Sequence, residues 1–288
     1  MSNISGLVGW HSTYAHQFGL ERWKNELFPA LKRPVKHVCL DQNNQSCVIS
    51  LAQIEEENKQ EGYFIDGASL ACAVSVSPLP GENVLDMCAA PGGKSVVLAR
   101  QMQSGSLVCN ELSKQRLQRL KQTITDFANI PKLSIKFTNN DSSSTNSDFK
   151  RVGPFDRILL DAACSSDRHI MTDSDLMQRW SPASVKAQTE RQVRMLSNAA
   201  SLVKPGGLIV YSTCALSDKE NDGAILKFLS KKDGLNFQVS QDTIVKTVLQ
   251  WIPGAELTPA GGCIVLPDRT NYGPLYICHL RRNNSIVS

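Results

Sequence analysis

"VLDMCAAPGGKSVVLAR", residues 84–100, decides how the rest of the chain is read. Val84, Leu85 and Met87 predict a strand, the small residues and glycines from Ala89 to Gly93 a sharp turn, and Lys94 onward a helix. The "GGKS" tail raises the question of a triphosphate loop. Such a loop needs glycine at the position held by Cys88, so that reading fails.

Working outward, short apolar runs alternate with helical stretches along most of the chain. "NVLDMC" precedes a helix from Gly92, "SLVCNEL" a helix over 113–128, and "LSIKFTNND" forms a third strand expected to end at Asp141. "DRILLDAAC", ending its strand at Asp161, precedes a helix over 183–203, and "GLIVYSTC" one over 217–232. Strands joined by crossover helices make a mostly parallel, doubly wound α/β sheet. "GGCIVLPD" and "GPLYICHLRR" predict an antiparallel edge. "FIDGASLACAVSVSPL" is expected as a helix packed ahead of this sheet. Upstream, "STYAHQFGLERWKNELFPAL" carries apolar residues near helical spacing and stops before Pro34, while "IEEENKQEG" (54–62) has the composition of a polar linker. The expected division is a helical leader over 1–60 and one domain over 61–288.

The 288 residues are 41% hydrophobic and 20% charged, an ordinary globular balance. No apolar run approaches the roughly 20 residues that cross a bilayer, so no membrane association is expected. Net charge is +4, so a nucleic-acid surface has to come from local clustering. The nine cysteines never form C-x-x-C, which removes the usual zinc spacing; no metal is expected, and free thiols suit a reducing compartment. The first residues have neither a signal-peptide core nor an Arg-rich start.

In a doubly wound sheet, ligands sit at the carboxyl ends of the strands. The turn lies there, and its small residues allow close approach to backbone N–H groups. Glu111, about 20 positions on, is placed to clamp ribose hydroxyls. Asp141 and Asp161 end the next two strands. Taken singly, the turn is also a plain tight turn, Glu111 a helix N-terminal acid and Asp141 an ordinary residue of a serine-rich loop. Together they favour S-adenosylmethionine over a dinucleotide, because G-x-G-x-x-G is missing.

Cys164 and Cys214 follow the fourth and fifth strands and flank one cleft if those strands are neighbours. Two thiols there suit cytosine-C5 chemistry, in which a thiolate adds to C6, makes C5 nucleophilic and leaves after a base has taken the C5 proton.

"DMCAAPGGKS", "DAACSS", "YSTCALSDKEN" and "GPLY", in this order, resemble the Sun-type (Nop/Sun, RsmB-like) RNA cytosine-C5 methyltransferases over roughly residues 62–282. "CSSDRH" resembles the mitochondrial members, so mitochondria are the expected compartment, with cytosol or nucleus as the alternative. The resemblance implies a Rossmann-like methyltransferase sheet and ribosomal or transfer RNA as substrate, with a protein partner aiding RNA targeting. It implies Cys214 as nucleophile and Cys164 as the cysteine assisting turnover. It also implies S-adenosylmethionine contacts from the turn (Cys88, Ala89, Ala90, Pro91, Gly92, Gly93, Lys94) and from Glu111, Arg116, Asp141, Ser142 and Asp161.

The chain departs from the family twice. Ala163 replaces a proline, which predicts a looser loop around Cys164, and Ser142 replaces a glycine, which predicts a shifted backbone contact. Basic residues of the leader (Arg22, Lys24, Lys32, Arg33, Lys36) and "RLQRLK" (116–121) are candidate phosphate contacts. The rival readings are a catalytically silent methyltransferase fold acting as an RNA-binding assembly factor, and a DNA cytosine methyltransferase, whose Pro-Cys is absent here.

Overall fold

The computed structural model describes residues 5–41, 62–128, 130–144 and 149–284. The polar linker lies outside them except for Gly62. Strands β1 (His37–Asp41) and β2 (Gly62–Asp66) form a separate antiparallel pair, from His37↔Asp66 to Asp41↔Gly62. The large sheet holds β3 (Asn83–Asp86), β4 (Gly105–Asn110), β5 (Leu133–Thr138), β6 (Phe155–Asp161), β7 (Val203–Thr213), β8 (Phe237–Val239), β9 (Glu256–Leu257), β10 (Cys263–Val265) and β11 (Leu275–Arg282). Their order is β5-β4-β3-β6-β7-β11-β10-β9, with β8 also on β11. The five strands from β5 to β7 run parallel; β11, β10, β9 and β8 make the antiparallel part. Chain direction across the sheet reverses at β3, which pairs β4 on one side and β6 on the other, and this switch point opens a crevice.

Local chemistry starts the crossover helices where the sequence predicts them. Gly92, at φ 119°, precedes the helix Gly93–Met102, and a Cβ there would meet Thr123 Cγ2 at 2.9 Å, so glycine is required. Ser113 caps Lys114–Phe127, which buries Leu117, Leu120 and Ile124 along one face. Ser181 and Ser184 close a capping box on Pro182–Leu202.

Three expected boundaries move. "FID" belongs to β2, and the helix begins at Gly67, where the Asp66 carboxylate accepts from the Ala68 and Ser69 N–H groups. The helix expected over 217–232 is Asp222–Leu229, because residues 217–221 are spent in turns held by Ser217 and Asp218 carbonyls. The third strand ends at Thr138, three residues before Asp141, where Asn139 and Asn140 turn aside to bond Glu111 O and Asn110 Oδ1.

The leader helix Gly6–Phe18 and the helical segment 20–31 lie on the sheet's helical layer. Trp10, Tyr14, Trp23, Leu27 and Leu31 are buried in one hydrophobic cluster with Phe149, Leu160 and Tyr211. Trp10 meets Tyr14 edge-on at 5.3 Å and Trp23 at 5.1 Å. Each ring removes roughly 150–250 Å² from water, about 4–6 kcal/mol at 25 cal/mol per Å² before entropy is charged. Such burial holds these N-terminal helices on the sheet.

Candidate active site

The turn after β3 is braced from beneath and from both sides. Ser95 donates to the buried Asp86 carboxylate at 2.7 Å; burial pushes this carboxyl up to about 7 against that hydrogen bond. Asn110 donates to Met87 O at 3.0 Å and accepts the Ala89 N–H on its own carbonyl at 2.8 Å. Ser142 donates to Met87 O at 2.6 Å, so this hydroxyl ties the third strand's loop to the turn where the family has a glycine. Arg116 donates to Ala90 O at 2.7 Å and approaches Glu111 Oε2 at 3.5 Å. Glu111 itself is nearly buried, and its other oxygen accepts the Ser113 N–H.

A second cluster sits at the ends of β6 and β7. Lys94 Nζ lies 2.7 Å from Asp161 Oδ2 and 3.2 Å from Ser69 Oγ, while Ser212 donates to Asp161 Oδ1 at 2.8 Å. Burial, the largest single influence, opposes the Lys94 charge, but Asp161, Cys72 and Asp86 together outweigh it and raise the ammonium's pKa. This lysine is a fixed cation.

The two thiols complete the site. Asp161 is paired with Ser212 across β6 and β7, which brings Cys164 Sγ and Cys214 Sγ to 3.1 Å. Ser166 Oγ stands 3.3 Å from Cys214 Sγ and 3.6 Å from Cys164 Sγ. The contact shifts the two thiols in opposite directions. Cys214 is lowered chiefly by its hydrogen bond with Cys164, and Ser166 lowers it further; Cys164 is raised by the same hydrogen bond and by burial. Of the two thiols, Cys214 is therefore the more readily ionised.

Both cysteine loops are pinned. Ala162 N–H bonds Ser212 O, Gln192 donates to Ala163 O at 3.1 Å, and Ser165 N–H donates to Glu220 Oε2 at 3.0 Å. Around Ala163, which stands where the family has proline, these hydrogen bonds hold the backbone. Beneath the loops, Asp167 is fully buried and accepts four hydrogen bonds: from Trp10 Nε1 (2.9 Å), Tyr14 OH (2.6 Å), Ser165 Oγ (3.2 Å) and Leu216 N (2.7 Å). The leader is thereby tied to the residue after Cys164 and to the second residue after Cys214.

A cleft of about 870 Å³ joins these clusters. Of the residues expected from the sequence, Cys88, Ala90, Lys94, Glu111, Arg116, Ser142, Asp161, Cys164 and Cys214 line it. Ala89, Pro91 and Gly93 line a smaller adjoining pocket of about 160 Å³. Gly92 and Asp141 line neither. Gly92 serves helix entry, and Asp141 Oδ1 folds back onto Ser143, whose backbone N–H lowers the Asp141 pKa. Arg22 leaves the list of candidate phosphate contacts: Glu256 and Asp268 engage its guanidinium. Ser69, Asp86, Ser166, Asp167 and Ser212 were not singled out in the sequence. Ser166, Asp167 and Ser212 lie inside the motifs flanking the two cysteines, whereas Ser69 carries no local signal. Among the described residues, no group of three or more His, Cys, Asp or Glu could hold a metal, and no helix is long and apolar enough to cross a membrane.

Comparison with known proteins gives concordant matches. The family described as 16S rRNA methyltransferase RsmB/F matches residues 73–281. A zebrafish (Danio rerio) protein named tRNA (cytosine(34)-C(5))-methyltransferase, mitochondrial, is 32% identical, covering 76% of this chain and 60% of its own. The bovine (Bos taurus) 5-cytosine rRNA methyltransferase NSUN4 is 30% identical, covering 76% of this chain and 59% of its own. The chain thus spans about three fifths of the length of these relatives. The crystal structure of NSun6 from Pyrococcus horikoshii with SFG superposes with a TM-score of 0.63 at 23% identity, over 82% of this chain and 56% of that one, and shares the fold.

Proposed function

Because this chain belongs to the 16S rRNA methyltransferase RsmB/F family, we propose that it is an S-adenosylmethionine-dependent RNA cytosine-C5 methyltransferase. The observation that carries the reading is the thiol pair at 3.1 Å, with Cys214 the more readily ionised, beside the Lys94–Asp161 ion pair. The cleft suits the cofactor: about 870 Å³ falls within the roughly 300–1,000 Å³ of small-molecule sites, and the nearly buried Glu111 carboxylate faces it. In this reading Glu111 and the braced turn from Cys88 to Lys94 hold S-adenosylmethionine, with Arg116, Ser142, Asp141 and Asp161 around them. When bound, that cofactor supplies an electrophilic methyl group on a sulfonium.

The protein's part is to activate the base. Cys214 thiolate adds to C6 of an unstacked cytosine, and Asp161, held by Lys94 and Ser212, is placed to accept a hydrogen bond from the base's amine. Once Cys214 bonds carbon its charge is gone, and with it the chief cause of the raised Cys164 pKa. Cys164 then gives its S–H proton to solvent in the cleft more readily and, as thiolate, assists removal of the C5 proton; the electrons of the C5–H bond form the C5–C6 double bond as the C6–S bond breaks and Cys214 leaves as thiolate.

Ribosomal or transfer RNA is the proposed substrate, and mitochondria the proposed compartment, from the names of the relatives. A net charge of only +4 supports a protein partner in RNA targeting. Residues 1–60 are proposed as the leader and 61–288 as the methyltransferase domain. The test is methyl transfer from labelled cofactor to total RNA, followed by nucleoside analysis. Label in 5-methylcytosine supports the proposal. Cofactor binding without transfer would favour the catalytically silent assembly factor.

A further inference from the structure

We propose that Ser166 is a thiolate-holding residue, whose hydroxyl donates to Cys214 before addition and again as Cys214 leaves. The inference rests on the reading of Cys214 as nucleophile.

Three observations carry it. First, Ser166 occupies the left-handed region at φ 54° and ψ 60°, where glycine is free and a side chain is strained. Second, its neighbours enforce that conformation: the Ser166 carbonyl accepts from the His169 and Ile170 N–H groups at 2.8 and 3.0 Å, Ser165 is bonded to Glu220, and Asp167 is buried among its four donors. Third, the enforced backbone directs the hydroxyl at both sulfurs, and the shorter contact, 3.3 against 3.6 Å, is to Cys214.

Two groups able to donate therefore reach Cys214 Sγ, the Cys164 thiol at 3.1 Å and the Ser166 hydroxyl at 3.3 Å. They differ in what the reaction asks of them. Cys164 has to give up its donated hydrogen bond to assist elimination, whereas Ser166 has no other task. While Cys214 is bonded to C6 its sulfur is neutral, and the serine hydroxyl is free to donate to Cys164 as that thiol ionises. When the C6–S bond breaks, the electron pair returns to sulfur and the hydroxyl turns back to it. No proton changes owner at the serine, so the step balances without a further reactant.

The experiment is the pH dependence of iodoacetamide labelling at Cys214, located by peptide mass spectrometry, in the full chain and in two variants. Ser166→Gly removes the hydroxyl and relieves the strained φ; Ser166→Ala removes the hydroxyl and keeps the strain. A charge-assisted hydrogen bond lost from a partly open site raises the labelling midpoint by about one pH unit, a tenfold loss of thiolate below it. The expected result is the same rise in both variants, with methyl transfer slowed in kcat and shifted to higher pH, and KM for RNA unchanged. An unchanged midpoint in Ser166→Gly, or a rise in Ser166→Ala alone, overturns the proposal and leaves the serine a backbone element. Labelling needs neither RNA nor cofactor. An unchanged midpoint beside active wild-type enzyme therefore defeats this inference alone, and normal labelling shifts beside inactive wild-type enzyme defeat only the methyltransferase reading.

Discussion

Replacing Asp167 by Asn tests whether the leader and the two cysteine loops are held through one buried carboxylate. The substitution keeps volume and keeps an acceptor toward Trp10 and Tyr14. It turns the other oxygen into an NH₂ group facing the Leu216 N–H, which donates at 2.7 Å. That N–H is lost as a partnered donor to a charged acceptor, about 1.5–3 kcal/mol. The bonds from Trp10 and Tyr14 fall from charge-assisted to neutral, roughly 1 kcal/mol each. Against this, burial has raised the Asp167 pKa, so a neutral amide recovers part of the desolvation cost, on the order of 1 kcal/mol. The expected net loss is about 2.5–4 kcal/mol. Urea unfolding measures it as a lower midpoint at constant m-value. Tyr14→Phe removes a single bond of 2.6 Å and should cost about 1.5–3 kcal/mol by itself. Combining it with Asp167→Asn should cost less than the sum by at least about 0.5 kcal/mol, because the two groups share that bond. Strict additivity, or an Asp167→Asn protein within about 0.5 kcal/mol of wild type, would refute the reasoning.

The two cysteines should fail differently. Cys214→Ala should abolish methylation while cofactor binding survives, and Cys164→Ala should trap a protein–RNA adduct on denaturing gels; an adduct in Cys214→Ala and none in Cys164→Ala would reverse their roles. Calorimetric titration should show S-adenosylmethionine binding in preference to adenosine triphosphate, weakened by about 1.5–3 kcal/mol in Glu111→Ala; tight triphosphate binding with no response to S-adenosylmethionine would overturn the site assignment. His279 is buried, bonded to Ser75 Oγ at 2.9 Å and lowered by burial to about 3, against 6.5 when solvated. Between these values the unfolded chain binds the extra proton, so this residue's contribution to stability is lost as pH falls through that window, on the order of 1 kcal/mol per unit. Asp86, raised to about 7 by burial, works in the opposite sense, its contribution being lost as pH rises from about 4 toward 7. Comparing wild type with His279→Gln in urea therefore isolates the histidine: the two stabilities should converge as pH falls, and parallel curves would exclude it.

What the sequence determined by itself was the local part. Alternating apolar runs and helical faces between Val84 and Thr213 specify strand, turn and crossover helix within a few residues, because each depends on neighbours in the chain. The same run of residues placed Gly92, Glu111, Asp161 and both cysteines at strand ends. Pairing is another matter. That β11 inserts beside β7, and that chain direction reverses at β3, follow from contacts between segments far apart in sequence. The leader's attachment depends on Trp10 and Tyr14 reaching Asp167, more than 150 positions away. Arg22 resembled a phosphate contact until Asp268 and Glu256 met it in space. The distribution of charge over the thiols was equally hidden, because Cys164, Ser166, Lys94 and Asp161 act on Cys214 through distance and burial. Hydrogen bonds and Coulomb forces depend on separation in space, and only the folded chain determines that separation.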